Sequence, residues 1–186
     1  PESAPNDTAA GLGRVLPGDY CTEHRPKSGM SLNDKRLPDA ANEVAVKTKR
    51  TAKIRQFEVG WNDREVVRLR GDGVIIATPT GSTSYAMSAG GPIVDPRVEC
   101  FAIVPLAAFS LSSRPMILPP ETVVQLRILQ RETEGPIVVH GPHEFAMRDG
   151  GRIAVWDSAG RARLGRFRPP FCSQVQDRLS YTSRAP

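Results

Sequence analysis

Short stretches that alternate between apolar and polar residues follow one another closely along most of this chain. Residues 42–46 and 123–129 alternate, which is typical of strands with one buried face. Residues 54–59 and 65–69 flank the turn-forming sequence Gly-Trp-Asn-Asp and read as a hairpin. Many short strands at this spacing predict a mainly β, antiparallel, multi-stranded domain. Further strands are predicted at residues 74–77, 98–106, 136–140 and 152–156.

Helical signals are confined to two places. Loop residues 78–84 lead into one short helix, and Phe171, Val175 and Leu179 recur at four-residue spacing, which predicts a C-terminal helix. Long helices alternating with strands, which a doubly wound nucleotide fold requires, are missing from the pattern. The Pro-, Gly-, Ser- and Asn-rich beginning is expected to be irregular. The expected organisation is a lead-in over residues 1–40, a β domain over residues 41–168 and a C-terminal helix and tail over residues 169–186.

Composition adds a cellular context. With 186 residues, of which 39% are hydrophobic, the chain can bury a sizeable core. The longest apolar run, residues 100–109, is half the length of a membrane span and is interrupted by Pro105, and no signal-peptide pattern opens the chain. Three cysteines far apart favour reduced thiols. We therefore expect a cytoplasmic protein without a membrane partner.

The charge pattern is basic. The formal net charge is +5, carried mostly by scattered arginines. A solvated basic face explains this balance most simply, and attraction of a phosphorylated ligand is the next interpretation. Aromatic residues make up only 6% of the chain and do not interleave with basic ones, so we expect no nucleic-acid partner.

The strongest candidate site follows the strand predicted at residues 74–77. Residues 71–85 read GDGVIIATPTGSTSY, a buried strand followed by a small-residue loop and a helical turn. Such a junction presents backbone N–H groups and hydroxyls, which can hold phosphates and sugar hydroxyls. The alternative is a capped helix start, with Ser82 or Thr83 bonding its own backbone. The hydroxyls belong to Thr78, Thr80, Ser82, Thr83 and Ser84.

Three further polar residues are candidates. Asn42 and Glu43 begin a predicted strand, where a carboxylate can accept from ribose hydroxyls and an amide can pair with a base. The alternative is that both are exposed polar residues at a strand end. Asp72 precedes the buried strand, and its simplest role is in an Asp-Gly turn.

The motifs resemble the NAD kinase family. The carrying segments are Ala-Asn-Glu-Val at 41–44, Thr-Pro-Thr-Gly-Ser-Thr-Ser-Tyr at 78–85, Ser-Ala-Gly-Gly-Pro at 88–92 and the Leu-Ser-x-Arg-Pro segment ending at 115. The match is almost continuous from residue 38 to residue 119 and looser beyond. It implies the family's sandwich-like C-terminal NAD-binding domain, phosphorylation of the adenosine-ribose 2′-hydroxyl of NAD to give NADP, and Mg²⁺ or another divalent metal with ATP or polyphosphate as donor.

The resemblance also implies site residues. Asn42 and Glu43 would contact the adenosine part of NAD, and Asp72 would lie towards the nicotinamide end. His140-Gly141 stands where the family commonly has Asp-Gly, so His140 is either a hydrogen-bonding pocket residue or a surface histidine. His140, His143, Cys21 and His24 lack the clustering of a metal site, and we expect no metal ligand. The implied NAD-binding set is Asn42, Glu43, Asp72, Thr80, Thr83, Ser84, Tyr85 and Ser88.

Catalytic residues are not expected in this chain. The family's catalytic aspartate lies in a Gly-Gly-Asp-Gly motif of an N-terminal α/β lobe, and these 186 residues contain no Gly-Gly-Asp sequence. Asp149-Gly150-Gly151 has the opposite order. We therefore expect an inactive isolated chain whose lead-in is the remnant of a connection to a missing lobe, and a homo-oligomer by resemblance. The alternatives are a non-catalytic nucleotide-binding regulatory domain and a related lipid kinase.

Overall fold

The computed structural model describes residues 20–48, 54–62, 64–110, 113–129, 135–139, 144–147, 150–166 and 175. Within these ranges it contains twelve strands, one 3-10 turn and one short helix. The strands are β1 (Cys21–Leu32), β2 (Lys35–Ala40), β3 (Glu43–Lys47), β4 (Arg55–Trp61), β5 (Arg64–Gly71), β6 (Gly73–Ala77), β7 (Phe101–Leu106), β8 (Met116–Leu118), β9 (Val124–Ile128), β10 (Gly135–Val139), β11 (Glu144–Met147) and β12 (Arg152–Arg166). The 3-10 turn covers Gly81–Thr83 and helix α1 covers Tyr85–Ser88.

The strands form two six-stranded sheets. Sheet A has the order β2-β1-β12-β9-β4-β5, and sheet B has the order β11-β10-β3-β6-β7-β8. Neighbours such as β4 and β5, or β3 and β6, pair antiparallel. The predicted mainly antiparallel β fold is therefore confirmed.

The main hydrophobic core lies between the sheets. It joins Phe57 and Leu126 of sheet A to Val44, Ile76 and Ile103 of sheet B, all of them at most 1% exposed. Along a single strand the core positions recur at every second residue, as Phe57 and Val59 do on β4, because successive side chains in a strand point to opposite faces. The alternation seen along β4 and β9 therefore marks the face of sheet A that meets sheet B.

Sheet B is also buried on its other face. A second apolar cluster contains Ala45, Ile75 and Val104, together with Ala86 of α1. The central strands β6 and β7 are buried at every position. This explains why their sequences read as continuous apolar runs instead of alternating ones.

The chain divides into two compact units. The larger unit, residues 26–161, contains both apolar clusters. The smaller unit comprises residues 1–25 and 162–186, and its described part includes the beginning of β1 and the end of β12. In this smaller unit Glu23 pairs with Arg166 at 2.8 Å between Oε2 and Nε.

The expected irregular lead-in over residues 1–40 is wrong for residues 21–40, which form the β1–β2 hairpin. Asn33 and Asp34 turn the chain with φ of 47° and 65°, a conformation that Asn and Asp tolerate. The strands are mostly polar, and their few buried positions such as Met30 and Leu37 do not give a clear apolar pattern. Residues 1–19 lie outside the described part of the chain.

Other differences concern strand ends. β12 continues to Arg166, well beyond the predicted end at residue 156, and β8 and β11 were not predicted. The C-terminal helix expected within residues 169–186 lies outside the described residues, apart from residue 175. None of the helices in the described part of the chain is long and apolar enough to cross a membrane.

Candidate functional site

The pairing of β3 with β6 brings two distant segments together. Glu43 lies opposite Ala77 in the antiparallel register, so the end of β6 adjoins the start of β3. The Thr78 N–H donates to the Asn42 carbonyl at 2.8 Å. The Thr78 hydroxyl is within hydrogen-bond distance of the Ala41 carbonyl at 2.7 Å and of the Asn42 carbonyl at 3.0 Å. The loop after β6 is thus anchored to the backbone before β3.

Gly81 lets the loop lie directly against this backbone. A Cβ atom at Gly81 would come within 2.1 Å of the Asn42 carbonyl oxygen and 2.8 Å of Glu43 Oε2. No ordinary side chain fits at the first of these distances, because the obstructing atom belongs to the backbone. The glycine therefore brings the loop into contact with the Asn42–Glu43 segment.

Two hydroxyls of the loop hold it in place. Ser82 Oγ is buried, lies 2.7 Å from the Pro79 carbonyl and accepts the Val94 N–H at 3.0 Å. Thr83 Oγ1 lies 3.3 Å from the Thr80 carbonyl, within its own 3-10 turn. Both side chains thus bond backbone groups of the protein, but neither caps the 3-10 turn or α1, so the alternative of a side-chain helix cap is not observed.

The hydroxyl of Ser84 has a different partner. Ser84 precedes α1 without capping it through its side chain, and its Oγ instead lies 3.3 Å from Glu43 Oε1. This contact joins residues that are 41 positions apart in sequence. Two of the proposed NAD-binding residues are thus in contact, with the hydroxyl oriented as a donor to the carboxylate.

Thr80, Tyr85 and Ser88 are the remaining proposed site residues on this loop and on α1. Thr80 Oγ1 is buried and makes no hydrogen bond within the described residues. A buried hydroxyl without a partner is costly, so such an atom marks a position where a ligand can supply the missing bond. Tyr85 is 40% exposed and Ser88 is also exposed.

The Ser-Ala-Gly-Gly-Pro segment ends α1. Ala86 is fully buried in the second apolar cluster and holds the helix on sheet B. Gly90 has a φ of 80°, which favours glycine, and its N–H donates to the Met87 carbonyl at 3.0 Å. The Gly91 N–H donates to the Ala86 carbonyl at 2.9 Å. These bonds fix the helix and the loop before it as one piece.

Asp72 does not join this group. It lies before β6, where its N–H donates to the Leu106 carbonyl at 2.9 Å and its carbonyl accepts the Thr48 N–H at 2.8 Å. Asp72 and Ala77 are five residues apart, and at about 3.3 Å per residue their Cα atoms are about 16 Å apart. Because Glu43 lies opposite Ala77, Asp72 is at the other end of the strand from Glu43.

His140 and His143 lie outside the described residues. In the described ranges, no group of three or more His, Cys, Asp or Glu side chains is placed to hold a metal ion.

Residues 41–167 match the family model of the ATP-NAD kinase C-terminal domain. The chain belongs to this family. The resemblance inferred from the motifs around residues 42 and 80 is thereby confirmed.

Named relatives of this ATP-NAD kinase C-terminal domain are longer than the chain. An NAD kinase of Methanothermobacter thermautotrophicus is 39% identical over 178 residues, which cover 96% of this chain and 62% of the relative. An NAD kinase of Methanosarcina mazei is 40% identical over 177 residues, which cover 95% of this chain and 61% of the relative. The chain thus spans about 60% of the length of these curated relatives.

Solved structures have the same fold. An NAD kinase from Archaeoglobus fulgidus, in complex with ATP, superposes with a TM-score of 0.80 at 28% identity and covers 95% of this chain and 68% of its own. A yeast NADH kinase complexed with NADH gives a TM-score of 0.85 at 22% identity, covering 97% of this chain and 56% of its own. This second likeness supports the fold alone.

Three residues outside the implied NAD-binding set are needed to build this loop of the ATP-NAD kinase C-terminal domain. Gly81, Thr78 and Ser82 build the loop and point their groups into the protein. In the sequence they form one run of small residues with Thr80 and Ser84. No local signal distinguishes a hydroxyl that bonds the protein from one that is available to a ligand.

Proposed function

We propose that the protein is an NAD kinase, which phosphorylates the adenosine-ribose 2′-hydroxyl of NAD to give NADP, and that this chain supplies the dinucleotide-binding domain. The observation that carries the proposal is the contact of the Thr78–Ser84 loop with Asn42 and Glu43, in a domain of the ATP-NAD kinase family. Relatives at about 40% identity are named NAD kinase.

The site offers complementary groups to a nucleoside. The Glu43 carboxylate can accept hydrogen bonds from the ribose hydroxyls, and the Asn42 side-chain amide can both donate to and accept from the base. The backbone carbonyl of Asn42 already accepts the Thr78 N–H, so only the side chain of Asn42 is proposed to contact the ligand. Thr80 Oγ1 can donate to a phosphate or a sugar oxygen. Thr83, Ser84, Tyr85 and Ser88 complete the proposed surface.

Glu43 acts here as a positioning group. Its contact with the Ser84 hydroxyl orients the carboxylate before the ligand arrives, which lowers the entropic cost of binding. Holding the ribose fixes the direction of its 2′-hydroxyl, and orientation is a large part of what phosphoryl transfer requires. Asp72 lies at the other end of β6, and we propose that it contacts only the nicotinamide half of the ligand.

The remaining parts of the reaction are assigned outside these residues. We expect ATP or polyphosphate as donor with Mg²⁺ or another divalent metal bound to it, and we propose no metal ligand among the described residues. We expect the catalytic aspartate in a segment beyond this sequence, an inactive isolated chain, a homo-oligomer and a cytoplasmic location. For His140 both expectations stand, a hydrogen-bonding residue of the pocket or a surface histidine.

Calorimetric titration of the full-length gene product with NAD and NADP tests the site. We expect Glu43→Gln to bind NAD at least about tenfold more weakly, because the carboxylate loses charge-assisted hydrogen bonds. Glu121→Gln is the matched control, since Glu121 is exposed between β8 and β9. Unchanged NAD affinity in Glu43→Gln would contradict the site. Failure of the wild-type protein to form NADP from NAD with either donor would contradict the function.

A further inference from the structure

The outer face of sheet A carries a row of charged residues. Glu58 of β4 lies opposite Arg68 of β5 on one side and opposite Arg127 of β9 on the other. Arg127 in turn lies opposite Arg152 of β12. The four side chains therefore stand at one level across four neighbouring strands, about 4.8 Å from one strand to the next.

This row has an excess of positive charge. Glu58 Oε2 lies 3.8 Å from Arg68 Nη2, and Glu58 Oε1 lies 3.9 Å from Arg127 Nη1, both too long for hydrogen bonds. One carboxylate thus faces two guanidinium groups, and Arg152 adds a third positive charge. Arg152 makes no ion pair within the described part of the chain.

Placing Arg127 beside Arg152 is unfavourable for the fold alone, because like charges directly opposite each other in a sheet are destabilising. Their side chains are solvated, with that of Arg127 45% exposed, so the repulsion is reduced but not removed. An anion bound between the two guanidinium groups would convert this repulsion into attraction.

A depression lies beside the row and has the size of a small anion. It measures about 170 Å³ and is lined by Glu58, Gly60, Arg64, Gln125, Leu126, Arg127 and Arg152. This volume leaves room for several water molecules or for a compact phosphorylated group. Gly60 of β4 has no side chain to fill it. Three arginines thus surround an open space.

The chemistry of these side chains selects among anions. Guanidinium groups present several N–H donors in a fixed plane, which match the oxygens of phosphate. The Gln125 amide can add a donor. We propose that Arg64, Arg127 and Arg152 form a binding site for an oligophosphate group, separate from the dinucleotide site on sheet B. The group is either a free inorganic oligophosphate or the phosphate chain of a nucleotide.

Titration of the full-length gene product with inorganic tripolyphosphate at constant ionic strength tests this site. We expect saturable binding that is about tenfold weaker in Arg152→Gln, since one charge-assisted contact is lost. Arg114→Gln is the matched control, because it removes an equal charge from an exposed arginine outside sheet A and should leave binding unchanged. An equal loss of affinity in both variants would overturn the proposal.

Three further arms sharpen the result. Excess NAD should not displace tripolyphosphate, and displacement would show that the anion occupies the dinucleotide site. A polyglutamate peptide should bind more weakly than tripolyphosphate, and equal binding would overturn the assignment to phosphate. ATP tested in the presence of excess NAD distinguishes the two sources: binding that Arg152→Gln weakens indicates a nucleotide, and loss of affinity for tripolyphosphate alone indicates the free oligophosphate.

Thermal unfolding without ligand provides an independent readout. We expect the Tm of Arg152→Gln at low salt to equal or exceed that of the wild type, because the repulsion with Arg127 is removed. Tripolyphosphate should raise the Tm of the wild type more than that of the variant. An equal rise in both proteins would contradict the site even if the calorimetric signals were small.

Discussion

The two sheets differ in how many of their faces are buried. In sheet B, β6 and β7 are buried at every position, between the main core on one side and the cluster containing Ala86 on the other. In sheet A, β9 buries Val124, Leu126 and Ile128 and exposes Arg127. The proposed dinucleotide loop extends from the strand that is packed on both sides, whereas the proposed oligophosphate site lies on a solvated face. Burial on both faces gives a loop a rigid base, and a solvated face can carry charges at little cost.

The largest expected effect on the free energy of unfolding comes from shortening buried side chains of sheet B. Ile75 and Ile76 point to opposite faces of β6, and both are fully buried. Ile75→Ala and Ile76→Ala should each lower the free energy of unfolding by about 4 kcal/mol. Chemical denaturation, monitored by tryptophan fluorescence, measures the free energy of unfolding of both variants.

Arg127→Ala is the comparison from sheet A and should change the free energy of unfolding by no more than about 0.5 kcal/mol. A loss below about 1 kcal/mol for Ile75→Ala would show that the second face of sheet B contributes little to stability.

The next effect concerns the contact between the loop and β3. Gly81→Ala places a Cβ atom against the Asn42 carbonyl and should lower the free energy of unfolding by about 3 kcal/mol while abolishing NAD binding. Gly165→Ala is the control, because its Cβ would lie 3.4 Å from Tyr20 Cδ2, an ordinary contact. Denaturation and calorimetry report the two effects. Wild-type affinity in Gly81→Ala would mean that the loop contact is not needed for the site.

A smaller effect tests how sheet A holds its β1–β2 hairpin. Burial raises the pKa of Asp39, but hydrogen bonds from Ser158 and Arg36 and the charges of Arg36 and Lys27 outweigh it, so the pKa is lowered. A carboxyl with a lower pKa in the folded state stabilises the fold fully above its unfolded value of about 4. This stabilisation is lost as the pH falls through the lower folded value.

Asp39→Asn should therefore reduce the free energy of unfolding by about 1–2 kcal/mol at neutral pH and leave a shallower loss of stability below about pH 4. Denaturation curves recorded from pH 2 to pH 7 measure both quantities. A variant that keeps the acid sensitivity of the wild type would place its origin in other carboxyl groups.

The smallest effect on stability separates the hydroxyls of the loop. Thr80→Val removes a buried hydroxyl that has no partner within the described residues, so stability should stay within about 0.5 kcal/mol while NAD affinity falls about tenfold. Ser82→Ala should do the opposite and lower the free energy of unfolding by about 1 kcal/mol, because its hydroxyl bonds the protein. Loss of stability in Thr80→Val without loss of affinity would exclude Thr80 from the site.

Local patterns predicted the strands that surround the loop. The bounds of β3, β4, β5 and β6 follow the expected ones closely, because alternation or a continuous apolar run is a property of neighbouring residues. The β1–β2 hairpin escaped prediction since its strands are mostly polar. Its buried positions are recognised only when β12 and the opposite sheet are known.

The sequence by itself determined the antiparallel β character, the loop and its glycine, and the family to which the motifs belong. The tertiary structure alone decided which of these residues meet. Pairing of β3 with β6 places Ser84 against Glu43, and the same register leaves Asp72 at the far end of the strand. The physical reason is that periodicity depends on neighbours in sequence, whereas the register of β3 with β6 and the contact of Ser84 with Glu43 join residues that lie far apart in sequence.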